Sequence, residues 1–295
     1  MQTIPAKTIL SAYRENGWFA TNYTANLYRG CSHNCIYCDS RSECYGIDDF
    51  ATVRAKDRAL AILEQELPAR KKKGAIITGA MSDPYNSLEK TLELTRGFLR
   101  LCDRYHFGVV ALTKSDLVSR DIDLFAAVGE HSPAAVNITI TAASDEVAKI
   151  IEPHASSSSD RFAAIEKLSA KNILCGVILL PTLPFITDTR ENITEIVKRA
   201  ADAGAAWVYA EKNFAVSLRD RQRTYFYERL DEHFPGTRER YEKTYGESYW
   251  CGSREPALQE TFVRSCEKCG VLFRHEEIDA KILGKKKDVQ SKLFC

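Results

Sequence analysis

The sequence predicts an α/β fold built on a parallel sheet, and the pattern of its apolar residues carries that prediction. Short apolar runs alternate with longer amphipathic stretches through the first 215 residues. Most of the short runs are rich in Val, Ile and Leu with little polar alternation, which is typical of parallel strands buried on both faces. Six strand–helix repeats favour a right-handed wound sheet, either barrel-like or open.

The predicted elements follow from where the apolar residues are continuous and where they recur every third or fourth position. The predicted strands are 25–28, 75–78, 108–112, 135–140, 173–180 and 206–209. The predicted helices are 57–67, 88–105, 119–128, 160–169 and 190–203. Asp160 suits the N-cap of the fourth helix, and Gly204 suits the end of the fifth.

The composition changes about three quarters of the way along the 295-residue chain. Apolar residues make up 44% and charged residues 27% of the whole, which is enough apolar material for a sizeable core. The stretch 216–249 is instead rich in Arg, Glu, Tyr and Phe. We therefore predict a core domain, residues 1–215, followed by a mainly helical C-terminal extension, residues 216–295.

Charge and hydropathy bear on location and partners. The formal net charge of +1 gives no overall attraction to nucleic acid or anionic membranes, although it leaves room for a local basic groove. Residues 1–7 have no apolar core or cleavage site of a secretory signal. The longest apolar runs, such as 177–180, are too short to cross a bilayer. We expect a cytoplasmic protein that is not inserted in a membrane.

Three of the ten cysteines, Cys31, Cys35 and Cys38, lie within eight residues of one another. Gly30 precedes them and allows a tight turn after the first strand. Cysteine thiolates are the usual ligands of iron–sulfur clusters, and one loop with such spacing could wrap a cluster. A cubane has four irons, so three cysteines leave one iron open, as in catalytic metal sites. The triplet therefore predicts a [4Fe–4S] cluster with an open iron.

A zinc site is the alternative interpretation of the triplet, with Cys44 or His33 as the fourth ligand. Structural zinc sites usually use paired C-x2-C units, which the three-then-two spacing here fits poorly. Otherwise Cys44 is an ordinary loop thiol. Cys102 and Cys175 lie inside apolar stretches and are predicted to pack in the core.

The triplet, with Tyr37 before its last cysteine, resembles the signature of the radical S-adenosylmethionine (SAM) superfamily. The longer stretch 26–39 is similar to the branch that contains spore photoproduct lyase and DNA repair photolyase-like proteins. Further segments similar to that branch are 78–85, 112–115, 151–153, 181–184 and 218–222. The resemblance extends from about residue 22 to residue 266.

The resemblance implies a partial (β/α)6 barrel and an enzyme with two cofactors. A [4Fe–4S] cluster on Cys31, Cys35 and Cys38 would chelate SAM and cleave it reductively into methionine and a 5′-deoxyadenosyl radical. That radical would abstract hydrogen from a substrate, for which the relatives suggest DNA or another nucleic acid. A reducing partner such as flavodoxin or ferredoxin would be needed.

Polar residues follow the apolar strands at the same end each time, where α/β proteins form their active face. Ser82 and Asp83 follow the second strand, and Lys114 follows the third. Thr139 and Thr141 end the fourth strand, and Glu211 follows the sixth. These residues and the cysteine triplet are therefore expected to meet at one end of the sheet.

The resemblance also implies roles for several of these residues in binding SAM. The segment that begins at Gly79 and includes Ser82 and Asp83 would approach the SAM amino group, where small residues allow close backbone contact. Lys114 would pair with the SAM carboxylate, and the Thr139 hydroxyl would reach the ribose.

Each of these assignments has a structural alternative. Residues 82–84 could form only a helix-capping turn. Lys114 could be a solvated loop lysine, and Thr139 could be an ordinary β-branched strand residue.

One position departs from the resemblance. Spore photoproduct lyase carries a hydrogen-donating cysteine two residues before the matching serine, and Ala80 stands there in this chain. Because alanine cannot donate a hydrogen atom, the same repair by the same donor is not expected. Cys44, Cys175 and Tyr85 are alternative donors, and nothing in the sequence places them near the radical.

The C-terminal extension has two features that could be functional. Cys251, Cys266, Cys269 and Cys295 could hold a second iron–sulfur cluster or a zinc ion. Alternatively, Cys266 could pack on an apolar helix face and Cys295 could lie on a frayed tail. An arginine run with neighbouring aromatics could line a nucleic-acid groove or form a solvated helix face. The residues of that run are Arg219, Arg221, Arg223, Tyr225 and Phe226.

A second function class competes with the enzyme. The chain could be a non-catalytic iron–sulfur or zinc protein that acts as a redox sensor or a nucleic-acid-binding module. Ser82, Asp83 and Lys114 discriminate between the two, because a sensor needs no pocket shaped for SAM beside its cluster.

Overall fold

A computed structural model describes residues 3–13, 15 and 17–284 of the chain. The strands are β1 (Thr3–Ile4), β2 (Leu10–Ala12), β3 (Tyr23–Ala25), β4 (Tyr28–Arg29), β5 (Arg54–Lys56), β6 (Ala75–Thr78), β7 (Gly108–Thr113), β8 (Ala134–Thr139), β9 (Leu174–Ile178), β10 (Trp207–Tyr209), β11 (Ala215–Ser217) and β12 (Trp250–Gly252).

The helices flank these strands and dominate the last third of the described chain. They are α1 (Ala59–Ala69), α2 (Glu89–Leu92), α3 (Leu94–Arg104), α4 (Ile122–Gly129), α5 (Asp145–Ile151), α6 (Ser158–Ser169), α7 (Arg190–Asp202), α8 (Asp220–His233), α9 (Thr237–Tyr245), α10 (Leu258–Cys269) and α11 (His275–Ile282). Short 3-10 helices cover Trp18–Ala20, Asp39–Arg41, Glu43–Tyr45 and Asp116–Asp121.

The main sheet has the order β10-β9-β8-β7-β6-β3-β2. Its six strands from β3 to β10 are all parallel, and β2 adds an antiparallel edge. Parallel strands in sequential order, joined through helices, form a (β/α)6 partial barrel. The predicted fold class is therefore confirmed, together with the mainly helical C-terminal region.

Alternate residues of each central strand point to opposite faces of the sheet. Ile76, Val109 and Val136 face outward and join the large hydrophobic core formed with the surrounding helices. Cys102 and Cys175 are fully buried in this outer core, as predicted. The continuous apolar runs of these strands are explained by burial on both faces.

The inner face of the sheet carries its own apolar cluster. Ile77, Val110 and Ile178 pack there against Phe19, and Ile278 of α11 covers them. The 3-10 helix that contains Phe19, near the start of the described chain, and α11, near its end, thus fill part of the barrel interior.

A polar contact lies inside this inner cluster. The Trp207 indole Nε1 donates to Asn137 Oδ1 at 2.8 Å, and both side chains are fully buried. Gly176 makes room for the indole, since a Cβ there would lie 2.1 Å from Trp207 Nε1.

The C-terminal helices form a separate hydrophobic cluster against the cysteine loop, residues 31–38. Cys35, Ile36 and Tyr37 are buried there with Phe226 of α8 and Tyr241 of α9. In addition, α10 packs on α7, and Leu272 pairs beside β10. The extension therefore covers both the edge of the sheet and the cysteine loop.

Two predicted elements differ from the structure. The first strand is Tyr23–Ala25 and not 25–28, because Tyr28–Arg29 pair with β5 in a small separate sheet. The predicted helix 88–105 is split into α2 and α3, because Glu93 adopts a left-handed conformation with φ 47°.

The predicted helix ends were partly right. Ser157, and not Asp160, caps α6, since its side chain accepts a hydrogen bond from the Asp160 backbone N–H. Gly204 does follow the end of α7, with φ +85°. Helix α5 was not predicted. Within the described residues, no helix is long and apolar enough to span a membrane.

Candidate functional site

The cysteine loop begins with a turn that requires glycine. Gly30 has φ +77°, and a Cβ there would lie 2.4 Å from the Thr52 carbonyl oxygen. The Cys31 backbone N–H donates to the Phe50 carbonyl at 2.8 Å. The backbone is thus folded back tightly just before the first thiol.

The far side of the loop is held by the last residue of α5 and by the segment that follows it. The Ile36 N–H donates to the Ile151 carbonyl at 2.9 Å, and the His154 N–H donates to the His33 carbonyl at 3.3 Å. These bonds fix the middle of the cysteine loop against the end of α5 and the turn after it.

The three thiols of the loop lie within each other's electrostatic reach. Cys31 and Cys35 are buried, and Cys38 is half-buried. Burial raises the pKa of Cys35 and of Cys38, and the Lys114 ammonium opposes the shift at both. Burial would also raise the pKa of Cys31, but a hydrogen bond and charge from His33 lower it. A basic lysine and a histidine beside three thiols suit thiolate ligands.

The donor set fits a cluster better than a single zinc ion. In the described part of the chain, no three Cys, His, Asp or Glu side chains are placed to share one metal ion. Of the two suggested fourth ligands, Cys44 is exposed and hydrogen-bonded to Ser42, and His33 lies beside Cys31 but is paired with Asp83. Three thiols without a fourth ligand fit a cubane with one open iron.

Asp83 connects the cysteine loop to the ends of two strands. Its Oδ1 accepts from Thr113 Oγ1 at 2.7 Å and from the Tyr85 N–H at 2.9 Å. Its Oδ2 accepts from the Lys114 N–H at 2.8 Å and lies 3.3 Å from His33 Nδ1. The carboxylate is therefore occupied on both oxygens by groups of the protein itself.

The His33–Asp83 pair is charged. Burial would raise the pKa of Asp83, but the charge and hydrogen bond of His33 hold it at about 2. Burial would lower the pKa of His33, but the Asp83 carboxylate raises it to about 10. An ion pair thus links the cysteine loop to the loop after β6.

The segment from Gly79 to Ser82 leads from β6 across the open face. Gly79 has φ +99°, and a Cβ there would lie 2.0 Å from the Leu112 carbonyl oxygen. Ala80 and Met81 are exposed, whereas Ser82 is buried and its hydroxyl donates to the Gly30 carbonyl at 2.5 Å. The segment is therefore tied to the cysteine loop while its middle faces solvent.

Lys114 lies over the cysteine loop. Its Nζ is 5.7 Å from the centroid of the Tyr37 ring, and the side chain is half-buried. Burial would lower the pKa of Lys114, but the negative charges of Cys35 and Glu152 raise it. It is not the solvated lysine of the alternative interpretation.

The remaining predicted residues lie at the ends of strands but differ in their contacts. Thr139 is buried at the end of β8, and Thr141 Oγ1 is 3.3 Å from Glu152 Oε1. Glu211 accepts a hydrogen bond from the Tyr209 hydroxyl at 2.9 Å.

Three residues that the sequence analysis did not assign to the site complete its surroundings. Glu152 accepts a hydrogen bond from the Tyr37 hydroxyl and pairs with Arg161. Gln222 of α8 donates from Nε2 to the Tyr37 carbonyl at 3.0 Å and to the Ser217 carbonyl at 3.0 Å. Glu152 and Gln222 lie in segments 151–153 and 218–222, whose similarity to the photolyase-like branch could have pointed to them. Nothing in the sequence distinguishes Arg161 from a surface helix residue.

The arginine run of the extension contacts the protein itself. Arg219 pairs with Asp39 at 2.7 Å, and Arg221 donates to the Arg41 and Ile47 carbonyls at 2.8 and 2.7 Å. Arg223 is hydrogen-bonded to the carbonyls of residues 218, 246 and 248. Phe226 is fully buried, so it lines no groove. Together with Gln222, the first two arginines hold residues 37–47 in place.

The prediction of a second metal site is wrong for the described cysteines. Cys251 is buried in the cluster of the C-terminal helices, whereas Cys266 is fully buried in the outer core of the barrel. Thiols packed in two separate hydrophobic clusters cannot share a metal ion. Cys269 is half-buried, and Cys295 lies outside the described residues.

The alternative hydrogen donors are not gathered at the open face. Cys175 is in the outer core, on the far side of the sheet from the barrel interior. Tyr85 is buried, and the carboxylates of Asp121 and Glu89 lie near its hydroxyl. Cys44 is exposed on the loop after the triplet.

An open α/β barrel with three thiols on one loop at the carboxyl ends of its strands is typical of a class of metallocofactor enzymes. The chain belongs to the radical SAM superfamily, whose sequence model matches residues 25–204. That superfamily implies a [4Fe–4S] cluster and SAM as cofactors.

Its relatives include proteins without a described function. The chain is 30% identical over 231 residues to an uncharacterized protein of Mycobacterium tuberculosis, covering 76% of this chain and 67% of that protein. It is 33% identical over 181 residues to an uncharacterized protein of Methanocaldococcus jannaschii, covering 59% of this chain and 65% of that protein.

Solved structures show the same fold. A mutant spore photoproduct lyase with bound AdoMet and dinucleoside spore photoproduct superposes with a TM-score of 0.62 at 16% identity, covering 89% of this chain and 80% of that chain. A spore photoproduct lyase complexed with dinucleoside spore photoproduct also gives 0.62, at 17% identity, covering 89% and 81%.

Proposed function

We propose that this protein is a radical SAM enzyme that acts on DNA or another nucleic acid. The observation that carries the proposal is the placement of Cys31, Cys35 and Cys38 in one loop, within electrostatic reach of each other, with the Lys114 ammonium acting on Cys35 and Cys38. When bound, the cluster and SAM supply the reductive cleavage that yields methionine and a 5′-deoxyadenosyl radical.

Lys114 would bind the SAM carboxylate. Its backbone N–H is fixed on Asp83 at 2.8 Å, and its ammonium lies above the Tyr37 ring. A lysine held in this way offers a compact positive charge next to the thiols. The alternative of a sensor without SAM gives no reason for a half-buried cation there.

Gly79 and Ser82 would hold the backbone that receives the SAM amino group. The residues between them are exposed, and the Ser82 hydroxyl ties the segment to Gly30. The Thr139 hydroxyl, at the end of β8, would reach the ribose.

Asp83 would act differently from its neighbours. Because both of its oxygens are already engaged by four groups of the protein, we propose that it positions Lys114 and Ser82 and does not itself contact SAM. Tyr37 would likewise orient the loop through its buried ring and hydroxyl.

The nucleic-acid substrate class is supported by the resemblance to the photolyase-like branch. Ala80, at the position of the lyase cysteine, argues for a different route of hydrogen transfer. A flavodoxin or ferredoxin would supply the electron, and the reduced thiols of the site suit a cytoplasmic location.

The test is anaerobic reconstitution with iron and sulfide, followed by dithionite and SAM, with chromatography for 5′-deoxyadenosine. Product is expected from the wild-type protein and from Cys102→Ala, whose thiol is buried in the outer core, but not from Cys35→Ala. A colourless protein with stoichiometric zinc would contradict the proposal. Added DNA oligonucleotides should increase the product if nucleic acid is the substrate, and no increase with any nucleic acid would remove that class.

A further inference from the structure

A fully buried ion pair lies directly behind the cysteine loop. Glu152 is 2% exposed and Arg161 is 0% exposed, and Arg161 Nη2 lies 2.5 Å from Glu152 Oε2. Glu152 is the C-cap residue of α5, whereas Arg161 is on α6. The two charges have been removed from water together.

The pair is connected to the cysteine loop on one side and to the sheet on the other. Glu152 Oε1 accepts from the Tyr37 hydroxyl, and Thr141 Oγ1 is 3.3 Å away. Arg161 Nη1 donates to the Thr139 carbonyl at 2.9 Å, and its Nε donates to the Ser156 carbonyl at 2.8 Å. The carboxylate therefore faces the loop, and the guanidinium faces the end of β8.

Such a pair is a poor way to stabilise a fold. Desolvation of two charges offsets most of their attraction, and well-packed apolar residues of similar size are often as stable or more so. Its presence beside a loop of metal ligands therefore suggests an electrostatic role.

The field of the pair reaches the middle thiol. Tyr37, whose hydroxyl donates to Glu152 Oε1, lies between Cys35 and Cys38 in the same loop. Burial raises the pKa of Cys35, the positive charge of Lys114 opposes this, and the negative charge of Glu152 raises the pKa further. Burial would lower the pKa of Arg161, but the Glu152 carboxylate raises it, with smaller contributions from Tyr37 and Cys35. Charges act strongly on each other here because water is excluded.

We propose that Glu152 is a positioning residue that sets the reduction potential of the cluster bound through Cys35, with Arg161 as its counter-charge. The inference rests on the proposed function. The carboxylate is on the side of the loop, so its negative charge outweighs the positive charge of Arg161 at the cluster. Because reduction adds an electron, a net negative neighbour makes the reduced state less favourable and the potential more negative.

The test is a potentiometric titration of the reconstituted protein, followed by electron paramagnetic resonance. Glu152→Gln keeps the size of the side chain and removes its charge, so the potential should shift in the positive direction. Arg161→Gln should shift it in the negative direction. The double variant removes both charges and should lie between the two single variants. Tyr37→Phe keeps both charges and should shift the potential less than Glu152→Gln.

Iron and sulfide content is measured first, to separate the two proposals. A wild-type protein that holds no cluster would overturn both. A wild-type cluster with potentials unchanged in Glu152→Gln would overturn the role of Glu152 alone. Shifts of the same sign in both single variants would also overturn it, since loosening of the loop, and not charge, would then be the cause. If a single variant loses its cluster, the double variant and Tyr37→Phe decide. A positive shift confined to the double variant would support the proposal, since the net negative charge of the pair has been removed. A negative shift in the double variant, or equal potentials in both variants and the wild type, would overturn it.

Discussion

Replacing Gly79 with alanine is expected to destabilise the protein at the start of the proposed SAM-binding segment. Gly79 has φ +99°, a conformation that costs an L-residue about 1–3 kcal/mol. The new Cβ would lie 2.0 Å from the Leu112 carbonyl oxygen, where real contacts essentially never fall below 3.0 Å. The end of β7 must therefore move by about 1 Å, and overpacking of this kind adds about 1–3 kcal/mol.

Gly236→Ala is the matched control for this change. Gly236 has φ +79°, but no atom lies within 4 Å of the point that an alanine Cβ would occupy, so the change incurs the conformational cost without the clash. Urea unfolding of the two variants should show that Gly79→Ala loses about 1–3 kcal/mol more than Gly236→Ala. Equilibrium dialysis with SAM should show weaker binding only in Gly79→Ala, at unchanged iron content.

Equal losses of stability in the two variants would refute this reasoning. They would mean that the contact with Leu112 does not constrain the backbone at Gly79. Wild-type affinity for SAM in Gly79→Ala, despite the loss of stability, would instead argue against the assignment of this segment to SAM.

Three further changes test the packing around the site. Gln222→Leu leaves the Tyr37 and Ser217 carbonyls without their buried donor, so it should lower the free energy of unfolding in urea by about 2–5 kcal/mol and reduce the iron bound. The control Gln259→Leu changes an exposed residue and should cost under about 0.5 kcal/mol. Equal effects of the two changes would contradict the role of Gln222. Cys266→Ala should leave the iron content of the reconstituted protein unchanged, and a stoichiometric loss of iron would restore the second metal site. Trp207→Phe leaves the Asn137 oxygen unpaired inside the barrel and should cost about 2–4 kcal/mol, and a loss below about 1 kcal/mol would show that this bond matters little.

The strands could be predicted from the sequence because burial on both faces leaves a continuous apolar run. The run at 75–78 coincides with β6 for this reason. The first strand was misplaced because β4 pairs with β5, a choice that depends on a partner more than twenty residues away. The break at Glu93 interrupts a helical pattern without any proline or glycine at that position, so the local sequence gives no sign of it.

The site was predictable where its chemistry is concentrated in a few residues. Three cysteines in one loop point to a cluster by their number and spacing. Arg161 could not be found in the same way, since an arginine on an amphipathic helix looks the same whether its charge meets water or a buried carboxylate. Its role becomes visible only when α6 is packed beside the segment that carries Glu152.

The contact between Gln222 and Tyr37 joins residues 185 positions apart in the chain. At a synthesis rate of about 5–20 residues per second, Gln222 is synthesised roughly 10–40 s after the cysteine loop. We expect the cluster to be inserted into the completed chain, with the thiols open to oxidation until then. Ribosome-bound chains halted before α8 should accordingly retain less iron than released protein. Equal retention would show that the cysteine loop holds its cluster without the contact from Gln222.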